Sequence, residues 1–162
     1  MKETGSPTLS GRVASLHLHP DEGGMPLRSI DAIEVVADKG ILGNPRYFGR
    51  PSRRQVSLIE REQISEHAVT LGLQTIAPGA VRANIETTGI NLVALIGQQV
   101  QIGEAVLLFY APRTPCYKMD AICQGLKDLM ENSKQGVMAQ VVQSGKIAVG
   151  DGIQVLEGVK QA

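Results

Sequence analysis

Short apolar runs that alternate in steps of two and stop at glycine dominate this chain, and such runs fold as many brief β-strands. Eighteen glycines among 162 residues lie between them, where tight turns between strands are needed. From Gly11 onward, Ala14, Leu16 and Leu18 alternate with Ser15, His17 and His19. That predicts a strand with one buried face and both histidines on the solvated one. His19-Pro20-Asp21-Glu22-Gly23-Gly24 supplies the turn that ends it. Further strands are predicted at Ile33 to Ala37, Gln55 to Ile59, Arg82 to Glu86, Val137 to Gln143 and Ile147 to Leu156. Between the first and second of these, Asp38 to Ser52 carries Gly40, Gly43, Pro45, Gly49 and Pro51, with Arg46 and Arg50 among them. It reads as a long loop of the kind that carries function. Ile102-Gly103-Glu104-Ala105 and Val149-Gly150-Asp151-Gly152 each set a glycine and an acid before an apolar run, a common turn-into-strand device rather than an internal repeat.

Two segments have helical period. Ile64, Ala68 and Leu71 recur at i, i+4 and i+7, and Gly72 stands where a C-terminal glycine cap belongs. Met119, Ile122, Cys123, Leu126 and Met130 form one stripe over Tyr117 to Met130. Seven or eight short strands with no steady strand–helix alternation favour a mostly β fold, a largely antiparallel closed barrel with two or three appended helices. Residues 1–10 and 158–162 read as loose tails around a single domain at 11–157.

Charge and composition exclude several partners. Sixteen basic residues balance sixteen acidic ones, so no general affinity for nucleic-acid backbones or anionic membranes is expected. Aromatic residues make up 3% of the chain and tryptophan is absent, which argues against stacked-base recognition. No apolar run approaches the ~18 residues of a membrane span, and the first twelve residues lack a secretion signal. A cytoplasmic protein, able to form an oligomer, is the expectation. The two cysteines cannot build a disulfide framework or hold an iron–sulfur cluster.

The segment richest in chemistry is Tyr110-Ala111-Pro112-Arg113-Thr114-Pro115-Cys116-Tyr117-Lys118. Two prolines fix the backbone between a predicted strand and a predicted helix. Cys116 then falls near the helix's first turn, where free amide N–H groups favour an anion and Arg113 and Lys118 add positive charge. Those effects hold a thiol as thiolate, the form that attacks electrophiles and binds metals. The competing reading is a small buried thiol; Cys123, on the apolar stripe, is assigned to the core. His17 and His19 have the spacing of two metal ligands, but a zinc site wants three or four.

Several blocks, in order, resemble the MOSC domain, named from the C-terminal domain of molybdenum-cofactor sulfurase. They are Gly40-Ile41-Leu42-Gly43, Arg54-Gln55-Val56-Ser57-Leu58, Arg82-Ala83-Asn84-Ile85, Thr87-Thr88-Gly89-Ile90-Asn91-Leu92, Leu95-Ile96-Gly97, Arg113-Thr114-Pro115-Cys116 and Gly145-Lys146-Ile147-Ala148-Val149-Gly150-Asp151. The resemblance runs over about residues 11–157. It implies a β-barrel, a bound molybdenum cofactor of the molybdopterin type, and Cys116 as molybdenum ligand or carrier of sulfane sulfur. A soft thiolate suits such a metal. It further implies cofactor-binding roles for Arg82 and Asn84, with Arg113, Asn44, Arg46 and Lys118 as further candidates. An Arg fork suits a phosphate or a pterin carbonyl. The bland alternative for Arg82 is an ion pair with Glu86. The chain departs from the family at Gly43-Asn44-Pro45-Arg46, where Gly-Asp and a following basic residue or His are common.

Three functions follow. The first is a cofactor-binding protein, in its enzyme form a reductase of N-hydroxylated small molecules that takes electrons from a separate redox partner. The second is a sulfur carrier that forms a Cys116 persulfide and passes the sulfur to an acceptor protein. The third is a barrel whose site has decayed.

Overall fold

The computed structural model describes residues 9–20, 27–44, 48–49, 52–113 and 136–156. Its strands are β1 (Leu9–Leu18), β2 (Arg28–Ile30), β3 (Ala32–Val36), β4 (Gly40–Ile41), β5 (Val56–Glu60), β6 (Ile85–Thr88), β7 (Gln99–Ile102), β8 (Ala105–Pro112), β9 (Val137–Gln143), β10 (Gly145–Ala148) and β11 (Gly152–Val155). One α-helix, α1 (Arg61–Thr70), and a 3₁₀ turn at Val93–Leu95 complete the described elements. Seven strands close into a barrel in the order β11-β7-β8-β9-β5-β6-β1, with β1 pairing back onto β11. Strand β2 extends the sheet beside β1, and β10-β3-β4 form a second small sheet. The barrel is mixed: β5 and β6 run parallel, and α1 supplies the crossover that a parallel pair requires.

Alternation along the strands fills the interior. Leu16 of β1, Leu58 of β5, Ile85 of β6, Val100 and Ile102 of β7, Leu107 and Phe109 of β8 and Val137 of β9 belong to one buried cluster. A second cluster lies outside the barrel wall: Ile59, Ile64, Ala68, Ile76, Val81 and Ala83 pack between α1, β5 and the chain that follows the helix. This outer layer explains why β5 is buried on both faces. It also corrects the expectation for β1. His17 and His19 are not on a solvated face; their exposures are 0% and 6%.

Three other boundaries differ from the sequence reading. The loop from Asp38 to Ser52 contains β4, which pairs with β3 through Val35 and Val36. The strand expected from Arg82 begins at Ile85, because Arg82 has a positive φ of 66°, which breaks extended pairing. The final strand is two: β10 joins the small sheet and β11 closes the barrel, separated by a turn in which Gly150 has φ 92° and the Asp151 carboxylate accepts the Ala148 N–H at 2.8 Å. The helix expected from Tyr117 to Met130 lies outside the described residues. Among the described residues no helix is long and apolar enough to cross a membrane.

Glu60, at the end of β5, fastens the 3₁₀ turn to the barrel by accepting the Leu92 N–H at 3.0 Å. Burial raises its pKa; the Leu92 hydrogen bond lowers it, and the nearby Glu62 and Glu66 charges raise it further. A carboxyl whose folded pKa is raised costs stability once it ionises, so the cost is absent below the ordinary pKa and grows as pH rises through the raised one. Glu60→Gln, which keeps an oxygen for Leu92, is therefore expected to exceed the wild type in stability at pH 7. Urea titrations at pH 7 and below pH 4 check this: the gap should close in acid.

Candidate functional site

Four of the residues singled out in the sequence come together on the outer side of the barrel, around the second half of β1. The assembly starts at α1. Its last turn ends at Leu71, and Gly72 follows in the left-handed region at φ 77°, as a glycine after a helix commonly does. The chain then recrosses the outer face of β5 and β6 as an arch, residues 76–83. Arg61 donates from Nη1 to Glu86 Oε1 at 3.0 Å and from Nη2 to the Ile76 carbonyl. The second Glu86 oxygen accepts the Gly79 N–H at 2.8 Å. Glu86 has 0% side-chain exposure, so its charge depends wholly on these donors. Its ion-pair partner is Arg61, which corrects the sequence alternative of an Arg82–Glu86 pair.

Asn84 joins three strands at the end of the arch. Its Oδ1 accepts from the Ser57 N–H and Oγ, each at 3.1 Å, and its Nδ2 donates to the His17 carbonyl at 3.1 Å. Its own N–H donates to Ser57 Oγ at 3.0 Å, and its carbonyl accepts the His17 N–H at 2.8 Å. The His17 ring sits on the same outer face. Its Nδ1 is 3.0 Å from the Ala83 carbonyl, which can only accept, so Nδ1 carries the hydrogen.

Asn44 reaches the same strand from the other side, beyond β4. Its Oδ1 accepts the His19 N–H at 2.7 Å and faces His19 Nδ1 at 3.1 Å. The backbone donor fixes which amide atom is oxygen, and that oxygen in turn makes Nδ1 of His19 a donor. Asn44 is 1% exposed, and its Nδ2 has no partner among the described residues. Arg113, just past β8, donates from Nη2 to the Val81 carbonyl at 2.7 Å. Its N–H bonds the Gly136 carbonyl at 2.9 Å. Gly136 has φ 88°, and a Cβ there would run into the Leu58 carbonyl, so only glycine lets β9 start this close to β5.

The structure thus brings Asn44, Arg82, Asn84 and Arg113 into one region linked through His17, His19, Val81 and Ala83. Arg82 and Asn84 do not share a strand face, since Arg82 lies in the arch. Cys116, Lys118, Arg46 and Cys123 lie outside the described residues. Sequence reasoning noted His17 and His19 only as a metal-ligand spacing on a solvated face, and gave Ser57 and the Arg61–Glu86 pair no role. The available signal was polar residues inside runs that are otherwise apolar. Among the described residues no three His, Cys, Asp or Glu side chains cluster as a metal site.

The family model described as MOSC domain matches residues 23–154. The chain belongs to the MOSC domain family. Solved relatives share its fold at low identity. The YuaD protein from Bacillus subtilis superposes with a TM-score of 0.75 at 21% identity, covering 91% of this chain and 96% of that one. YiiM from Geobacillus stearothermophilus gives 0.72 at 18% identity over 91% and 75%, and YiiM from Escherichia coli gives 0.67 at 21% over 93% and 72%. No curated protein matches the sequence. The MOSC fold accounts for the sequence blocks that straddle β5, β6 and β8.

Asn84→Asp tests the three-strand junction. One aspartate oxygen can still accept from Ser57, but the other must face the His17 carbonyl and needs a proton to do so. The folded state therefore raises the new carboxyl's pKa above its usual ~3.9. The variant is expected to fall below wild type as pH rises, by about 2 kcal/mol or more at pH 8, and to recover towards pH 4. Denaturant unfolding at the two pH values measures it.

Proposed function

We propose that this MOSC protein binds a molybdenum cofactor of the molybdopterin type, with Cys116 as the metal's thiolate ligand, and reduces small N-hydroxylated compounds with electrons from a separate redox protein. The observation that carries the reading is the convergence of Asn44, the Arg82–Asn84 segment and Arg113, from three separate stretches of chain, around the end of β1 and the arch. Arg113 stands three residues before Cys116, and three residues reach at most ~11 Å.

The donor set suits the ligand. Among the described residues the buried amide Nδ2 of Asn44 has no partner, whereas the buried carboxylate of Glu86 is spent on Arg61 and Gly79. A buried donor of this kind calls for an acceptor on the guest, and the phosphate and pterin carbonyl of molybdopterin are acceptors. When bound, the cofactor supplies two-electron chemistry that no side chain here provides. In this reading Arg82 and Arg113 hold the anionic part and Asn44 orients the guest through Nδ2. Asn84 acts from behind by fixing the β1–β5–β6 junction, with no contact to the guest. Arg46 and Lys118 add positive charge from segments next to Asn44 and Cys116 in sequence.

Metal analysis of protein purified from a cofactor-producing host tests the reading. Wild type is expected to carry near-stoichiometric molybdenum and release a fluorescent pterin on oxidation, while Cys116→Ser drops to background molybdenum. A wild type without molybdenum sinks the proposal. If its intact mass shows one extra sulfur atom that Cys116→Ser lacks, the protein is a sulfur carrier instead.

A further inference from the structure

We propose that His17 is a positioning residue for the site: by holding the Ala83 carbonyl it keeps Arg82 in its left-handed backbone conformation, and so sets how that arginine meets its ligand. The inference rests on the reading of Arg82 as a cofactor contact, and it adds a residue from β1 that the MOSC sequence blocks do not include.

Arg82 is one of only two non-glycine residues with positive φ among those described, at 66°. Such a conformation costs energy for a side chain with a Cβ and persists only where the surroundings over-determine it. Here the peptide before Arg82 and the one that joins Ala83 to Asn84 are each held at both ends. The Arg82 N–H bonds the Gly79 carbonyl at 3.0 Å. The Val81 carbonyl before it accepts from Arg113, and the Ala83 carbonyl after it accepts from His17. Asn84 N–H is held by Ser57 Oγ. The Ala83–Asn84 peptide is thus held by side chains from two other elements, Ser57 of β5 on its N–H and His17 of β1 on its carbonyl.

The His17 ring is itself over-held. It is fully buried, and its main-chain N–H and carbonyl both bond Asn84. Gly79, at φ 85°, lies so close over it that a Cβ would come 3.0 Å from Cδ2. Glu86 anchors that glycine through its N–H. The remaining nitrogen, Nε2, is buried with no partner among the described residues. An orphaned buried acceptor is a net cost to folding. A histidine retained at that cost, with its ring donor aimed at the peptide beside a strained arginine, fits a role in placing Arg82 better than a role in stability.

Two variants of similar size separate donor position from packing. In His17→Asn the side-chain NH₂ lies near the place of Nδ1 and can still reach the Ala83 carbonyl. In His17→Gln the donor lies near the place of Nε2 and cannot. Hydrogen exchange of the peptide spanning residues 79–84 and molybdenum content are measured on full-length protein from a cofactor-producing host. We expect the Asn variant to match wild type in both. The Gln variant should exchange roughly five- to tenfold faster at 79–84, the factor that one lost hydrogen bond implies, and should retain several-fold less molybdenum. Exchange in α1 should stay unchanged in both. Equal behaviour of the two variants, or faster exchange across α1 as well, overturns the proposal. If wild type holds no molybdenum, the cofactor reading fails, while the exchange comparison still decides whether His17 fixes the arch.

Discussion

A carboxylate sealed away from water must be surrounded by donors, and in this protein that requirement organises the whole outer face of the barrel. Glu86 is fully buried, with Arg61 on one oxygen and the Gly79 N–H on the other. Both donors belong to the crossover between the two parallel strands, Arg61 at the start of α1 and Gly79 in the returning arch. The same arginine also holds the Ile76 carbonyl. One charge pair thus ties the helix, the arch and β6 together. Breaking it would leave a bare charge inside the outer apolar cluster, at a cost of several kcal/mol. The arch in turn carries Val81, Arg82 and Ala83, through which Arg113 and His17 connect to the rest of the site.

The barrel itself was legible because its information is local. Leu16 and Leu18, Ile33 and Val35, and Leu58 beside Val56 announce their facing by period two, and glycines mark the turns between them. Helix α1 was legible for the same reason, from Ile64 and Ala68. What escaped was the outer layer. A strand covered on both faces loses its alternation, so His17 and His19 looked like a polar exterior when they were polar members of an interior. Nothing in the run Arg82-Ala83-Asn84-Ile85-Glu86 distinguishes a strand from a turn that becomes one. The left-handed Arg82 is framed by hydrogen bonds from residues distant in sequence, among them Arg113, Ser57 and His17.

The same distinction explains which site residues could be read. The Arg82-Ala83-Asn84 block and Asn44 are recognisable as sequence, so a family resemblance finds them. Their division of labour is not. Asn84 spends its side chain on Ser57 and His17 and so builds the wall, while Arg82 belongs to the arch that lies over it. Two residues that a strand pattern would place side by side therefore act at different depths, one in the frame and one in front of it.

Asn44 shows how a departure from the family pattern acquires a physical meaning. Its oxygen is fully used by the His19 N–H and ring, which leaves only the amide Nδ2 facing outward from that pair. An aspartate in the same place could keep the bonds to His19 but would offer a second acceptor, and a negative charge, where the amide offers a donor. The asparagine thus reverses what the position can receive. It favours a guest group that accepts a hydrogen bond and removes the repulsion that a carboxylate would impose on a phosphate or an anionic sulfur. A loop that ends in Gly-Asn is in that sense better matched to an acceptor-rich, negatively charged guest than the more usual Gly-Asp.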